Sequence, residues 1–275
     1  LEQLEKLIRF IIKILVSIME NVLECFGFRR NTLKRLKNLN MKYAYLLINL
    51  GAIIIPFIFS FHPKLNFHRQ WKAFFKANLI VSIIFLAWDV LYTHIGVWGF
   101  NDDYLIGVRI FQLPLEECLF FFCIPYACLF TWHCFEILIK HTMSNKIELF
   151  ISLILITSLI LIAFLNISNL YTSITFFALS FTIIILRYIY NIDWLGRFYL
   201  TYTVLLLPFF IVNGLLTGTA LESPIVWYDN NENLGIRILT IPVEDIFYGM
   251  LLIMLNISLF KHFQSSSFKN FNPIS

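Results

Sequence analysis

Adjacent carboxylates behind a proline occur twice in this chain. Residues 107–120 read GVRIFQLPLEECLF and residues 235–248 read GIRILTIPVEDIFY. Matching positions lie a constant 128 apart: Gly107 with Gly235, Arg109 with Arg237, Pro114 with Pro242 and Glu116 with Glu244. Glu117 becomes Asp245, which keeps the carboxylate, and Phe120 becomes Tyr248, which keeps the ring. In the first copy apolar sequence flanks the acids, RIFQL before and CLFFF after. Apolar surroundings favour the neutral form of a carboxyl group, and a carboxylic acid still protonated near neutral pH is what general acid catalysis requires. Two such groups facing one another titrate as a pair. Helix capping is the alternative, because proline suits a first helical turn and the helix dipole favours acids there. One acid suffices for a cap, however, and each copy has two. The loops ahead of the motifs echo as well, WGFNDD at 98–103 and WYDNN at 227–231. Asp89 is a third candidate acid; its alternative is a buried aspartate held by Arg109 or His94. Arg109 and Arg237 are expected to snorkel or to pair with acids of these loops rather than to bind an anionic ligand.

The elements that must position these groups follow from composition. Hydrophobic residues make up 59% and charged residues 14% of 275, and the mean hydropathy is +0.77. That excludes an ordinary soluble domain, and ionisable groups at membrane depth are costly enough to read as a functional site. Runs near the roughly 20 apolar residues of a spanning helix fall at 43–61, 78–97, 110–131, 147–165, 170–189, 198–217 and 241–260. The fold class is therefore all-α, a polytopic membrane bundle of about seven helices. The offset of four spans between copies makes the repeat parallel, three helices, a linker helix and three more. The expected division is a basic, amphipathic extension at 1–40, a first repeat at 41–140, a linker helix at 141–166, a second repeat at 167–262 and a polar tail at 263–275. In a pseudo-twofold bundle the two motifs should meet across a central cavity.

Loop charges set an expected orientation. Lys64, Arg69, Lys72 and Lys76 in one loop, Lys140 and Lys146 in another, and Lys261 and Lys269 at the end put those segments in the cytoplasm, in the cytoplasmic membrane of a prokaryote. Asp102, Asp103, Glu222, Asp229 and Glu232 mark the opposite side, and the 190–197 loop is placed with these acidic loops. The net charge of +4 suggests membrane-surface contact rather than nucleic acid. Cys118, Cys123 and Cys128 step by five and do not share a helix face, so they read as small buried residues rather than metal ligands.

The pairing of PLEE before FF with PVED before FYG, and NGLLTG upstream of VWY, resembles the lycopene cyclase domain family, integral-membrane carotenoid cyclases found as paired small subunits or fused domains. The resemblance covers about residues 41–262. It implies acid-initiated cyclisation: a carboxylic acid protonates the terminal double bond of a linear carotenoid, the neighbouring double bond attacks the cation, and proton loss gives a β- or ε-ring. The acids it implies are Glu116, Glu117, Glu244 and Asp245, with Glu116 and Glu244 leading as acid and base. No G-x-G-x-x-G and no P-loop occurs, and an isomerisation needs no redox equivalents, so no cofactor is expected. The partners are membrane lipids and a lipid-soluble carotenoid such as lycopene. Asp89, Trp98, Phe120, Phe121, Asn213, Trp227 and Tyr248 are candidates for the substrate-binding wall, where ring faces stabilise a cation. The alternatives are a carotenoid hydratase, in which water quenches the cation, a small-solute transporter built on a parallel repeat, and a membrane prenyltransferase using NDD at 101–103 and DNNE at 229–232 to hold Mg²⁺.

Overall fold

The computed structural model describes residues 41–139, 143–219 and 221–269, with side chains described as far as residue 264. The chain divides into two units after Lys42, and the second holds both acid motifs. The extension at 1–40 and residues 270–275 of the expected tail lie outside the described residues.

With no water in a bilayer core, a spanning segment must satisfy its own backbone, and helices do so. Seven helices are described: α1 (Ala44–Phe59), α2 (Trp71–Ile95), α3 (Leu115–Leu138), α4 (Asn145–Leu165), α5 (Leu170–Ile184, continued by a π-helical turn at Ile185–Ile189), α6 (Leu195–Leu216) and α7 (Val243–Lys269). Six are long and apolar enough to cross a membrane; α1, with 16 residues, is shorter. The pairing of helices follows the repeat. α1 packs on α3 as α5 packs on α7, and across the halves α2 packs on α7 and α6 on α3. The two repeats are thus interlocked rather than side by side.

Two expected boundaries move for a physical reason. The apolar stretch RIFQL does not enter the third helix. It forms a hairpin, β2 (Arg109–Ile110) against β3 (Leu113–Pro114), through Phe111 at φ 47° and Gln112 at φ 73°. Two central residues at positive φ are the signature of a tight type I′ turn. The second copy repeats the hairpin as β5 (Arg237–Ile238) with β6 (Ile241–Pro242). Each proline thus ends a strand and opens a helix, where its missing N–H costs no ladder bond. The 190–197 loop also moves. Helices alternate in direction, so the loop after α5 shares an end with those after α1 and α3, and Arg197 approaches Glu136 near the end of α3 at 4.0 Å. It belongs with the basic loops, not the acidic ones.

Proline inside α3 has a visible consequence. Pro125 cannot donate to the Phe121 carbonyl four residues earlier. Asn78 Nδ2 and Ser82 Oγ of α2 donate to that carbonyl instead, at 2.9 and 3.0 Å, which ties α2 to α3 at mid-span.

The two pre-motif loops meet as an antiparallel ribbon, β1 (Trp98–Phe100) with β4 (Val226–Tyr228), in the register Trp98 to Tyr228, Gly99 to Trp227 and Phe100 to Val226. Gly99 and Trp227 are equivalent in the repeat, so the pseudo-twofold axis passes through their pair. A methyl group at position 99 would sit 2.3 Å from Cζ2 of Trp227; glycine is what lets the indole lie across the ribbon. Gly99→Ala is expected to displace that ring and cost about 1–3 kcal/mol. The same change on a Trp227→Ala background should cost little, a non-additivity read by thermal unfolding of the four variants in detergent.

Candidate active site

Both acid pairs lie in the first turns of their helices, α3 and α7. Successive helical residues point about 100° apart, so the two members of a pair have different fates. Glu116 and Glu244 turn back to the preceding loops. Glu116 Oε1 accepts the Ile106 N–H at 2.7 Å, and Glu244 Oε1 accepts the Leu234 N–H at 2.8 Å and the Thr172 hydroxyl at 2.6 Å. Both side chains are fully buried. The loop arginines copy each other too. Arg109 donates to the Gln112 carbonyl and to Asp102, and Arg237 donates to the Thr240 carbonyl and to Asn230. Arg109 thus pairs with a loop acid, as expected, whereas Arg237 finds the amide oxygen of Asn230 in place of an acid.

Glu117 and Asp245 turn the other way, towards the axis. The Tyr45 hydroxyl donates to Glu117 Oε2 at 2.5 Å. The Tyr171 hydroxyl donates to Asp245 Oδ1 at 2.6 Å, and the Tyr228 hydroxyl to Oδ2 at 3.0 Å. Tyr45 on α1 and Tyr171 on α5 are therefore equivalent donors to equivalent acids. Burial, and then the adjacent Asp245 carboxylate, push the Tyr228 hydroxyl well above its usual value, which keeps it an O–H donor at neutral pH. Glu117 lies within electrostatic reach of both Asp245 and Asp89. Asp89, on α2, accepts the Trp98 indole N–H at 2.6 Å, not Arg109 or His94 as the sequence suggested. Among the described residues none of these three acids takes part in an ion pair.

Aromatic rings enclose the three acids. Tyr248 contacts Phe85, Trp88, Trp98 and Tyr171, with centroids 5.1–6.1 Å apart. Tyr171 stacks on Tyr228 at 5.8 Å, and Trp98 packs against Tyr92 at 4.8 Å. Phe120 lies against Tyr45 at 6.3 Å, and Phe121 against Phe85 at 6.0 Å.

Of the substrate-wall candidates, the structure brings Asp89, Trp98 and Tyr248 together, with Phe120 and Phe121 beside Tyr45 and Phe85. It does not bring Trp227 or Asn213 into that group. Side chains alternate along a strand, so Trp227 faces out, 44% exposed, and its neighbour Tyr228 faces in. The Asn213 amide donates to the Phe209 carbonyl of its own helix at 3.3 Å. Sequence reasoning misses Tyr45, Tyr171, Tyr228 and Thr172. The signal for the first two is present but shifted: Tyr and acid are 72 residues apart in the first copy and 74 in the second, so the tyrosines fall out of step with the 128-residue offset. Among the described residues no group of three His, Cys, Asp or Glu has the geometry to hold a metal ion.

These features define a multi-pass membrane protein with a duplicated acid motif closing on one aromatic-walled centre. The family model for lycopene cyclase matches residues 42–135 and 168–263, one stretch for each repeat, and the chain belongs to that family. At family level it is a carotenoid cyclase, an integral-membrane enzyme whose substrate is a lipophilic carotenoid. No curated protein and no solved structure matches the chain.

Glu244→Leu strands two buried donors, the Leu234 N–H and the Thr172 hydroxyl, each worth roughly 1–3 kcal/mol when left unpaired. Glu244→Gln keeps an acceptor oxygen in place. The leucine variant is expected to unfold at a distinctly lower temperature than the glutamine variant in the same detergent.

Proposed function

We propose that this chain closes rings at the linear ends of a carotenoid by acid-initiated cyclisation, and that the acid–base chemistry belongs to Glu117, Asp245 and Asp89 rather than to Glu116 and Glu244. One observation supports this above the rest. A carboxyl group from each repeat reaches the same ring-lined centre without an ion-pair partner, while the other member of each pair is tied through Oε1 to a backbone N–H of a loop, its Oε2 buried without a hydrogen-bond partner among the described residues.

The chemistry is an isomerisation. An acid protonates the terminal double bond of the substrate. The neighbouring double bond supplies the electron pair that closes the ring on the resulting cation. A carboxylate then removes a proton next to the relocated charge, and the carbon that loses it decides between a β- and an ε-ring. Atoms and electrons balance without an oxidant or reductant. A hydrocarbon gives the enzyme no polar handle, so it is held by shape against rings such as Trp98, Phe120, Phe121 and Tyr248, and the faces of such rings attract the cation. Glu116 and Glu244 serve by fixing the loops that carry β1 and β4.

Expression in a host that accumulates lycopene tests the reading. The expected result is a pigment of unchanged mass with a cyclised-end spectrum. Glu117→Gln is expected to lower its yield about 100-fold or more, the scale of general acid–base catalysis, while Glu116→Gln retains most of it. Unchanged lycopene from well-inserted wild-type protein would contradict cyclisation, and a pigment heavier by one water would replace it with hydration.

A further inference from the structure

We infer that Asp89 is the proton donor of this centre and Asp245 the carboxylate that takes up the proton lost at ring closure, an inference that rests on the cyclase reading above. Asp89 sits on α2 six residues before its end, about 9 Å along the helix axis at 1.5 Å per residue. It is 3% exposed. Its Oδ1 accepts from Trp98, but Oδ2 is buried and has no hydrogen-bond partner among the described residues. A carboxylate oxygen buried without a donor is poorly stabilised. Glu116 Oε2 and Glu244 Oε2 are also buried without a partner among the described residues. Those two acids are tied to loop N–H groups, however, whereas Asp89 is tied to Trp98, whose ring packs on Tyr248 at 6.0 Å. A neutral Asp89 thus has an uncommitted O–H beside these rings, the group a general acid must present.

The donors sort the other members. Asp245 receives a phenolic O–H on each oxygen, and Glu117 receives one on Oε2. Two phenolic O–H groups thus supply a carboxylate at Asp245 with a donor on each oxygen, the geometry of a positioned proton acceptor. The repeat offers no second Asp89. The equivalent position is Thr217, whose hydroxyl bonds to the Asn213 carbonyl at 2.8 Å and to Thr240 at 2.7 Å. The pseudo-twofold centre therefore has a direction. The Asp89 Oδ2–H bond breaks as a C–H bond forms on the substrate, and the C–H bond beside the cyclic cation breaks as Asp245 gains its proton. The cycle closes when Asp245 gives up its proton and Asp89 regains one.

Turnover of lycopene by the purified full chain in heavy water tests this by mass spectrometry of the carotenoids. Wild-type protein should place one deuterium on carbon for each ring formed. Asp89→Asn keeps an acceptor for Trp98 but no acid; ring formation should fall about 100-fold or more and the recovered lycopene should stay unlabelled. Asp245→Asn should also fail to make rings, but its recovered lycopene should gain deuterium, because protonation reverses without completion. Undiminished labelling in folded Asp89→Asn overturns the assignment of Asp89 and leaves the cyclase reading standing. Cyclised product without deuterium from the wild-type protein overturns acid initiation itself. If the asparagine variant does not fold, Asp89→Glu decides: it retains an acid and should label its product, and a folded glutamate variant that labels nothing overturns the inference.

Discussion

The cost of placing carboxyl groups in an environment with little water governs this structure. Each buried acid oxygen must find a donor, carry a proton or remain unsatisfied. Most of the local architecture around the motifs answers that demand. The hairpins bring the Ile106 and Leu234 N–H groups to Glu116 and Glu244, the first helices of the two repeats bring Tyr45 and Tyr171 to Glu117 and Asp245, and the ribbon brings Tyr228 to Asp245 and Trp98 to Asp89. The loops thus supply two backbone N–H groups, from Ile106 and Leu234, and the side chains of Trp98 and Tyr228 to these acids.

Duplication explains the frame, and its imperfections explain the chemistry. The clamp of each outer glutamate and the pairing of each arginine are reproduced 128 residues apart. The inner positions are not. Glu117 faces Asp245, Phe120 matches Tyr248, Gly99 matches Trp227 and Asp89 matches Thr217. A symmetric centre has no reason to assign proton donation to one side. These four departures leave Asp89 with one donor, from Trp98, and Asp245 with two, from Tyr171 and Tyr228.

The repeat, the membrane class, the order of helices and the acid pairs are legible in the sequence, because each rests on composition or on a constant spacing within the chain. What stays hidden there depends on direction. Whether Glu116 or Glu117 faces the axis is a matter of about 100° of helix rotation, which two adjacent acids cannot reveal. Tyr45 and Tyr171 escape because the second copy is two residues longer between tyrosine and acid. Size favours Trp227 over Tyr228, whereas strand alternation decides which of them faces inward. RIFQL reads as apolar helix until Phe111 and Gln112 adopt positive φ, a backbone event with no Gly or Asn to announce it.

The central claim is that the two repeats build one catalytic centre, not two. Following the first ring made by an Asp245→Asn chain, inserted and folded, in lycopene-accumulating cells tests it most directly. One shared centre predicts neither monocyclic nor bicyclic carotenoid, because the intact Asp89 and Glu117 cannot finish the reaction alone. Monocyclic or bicyclic product at about half the wild-type rate would mean that each repeat works independently, and would contradict the account.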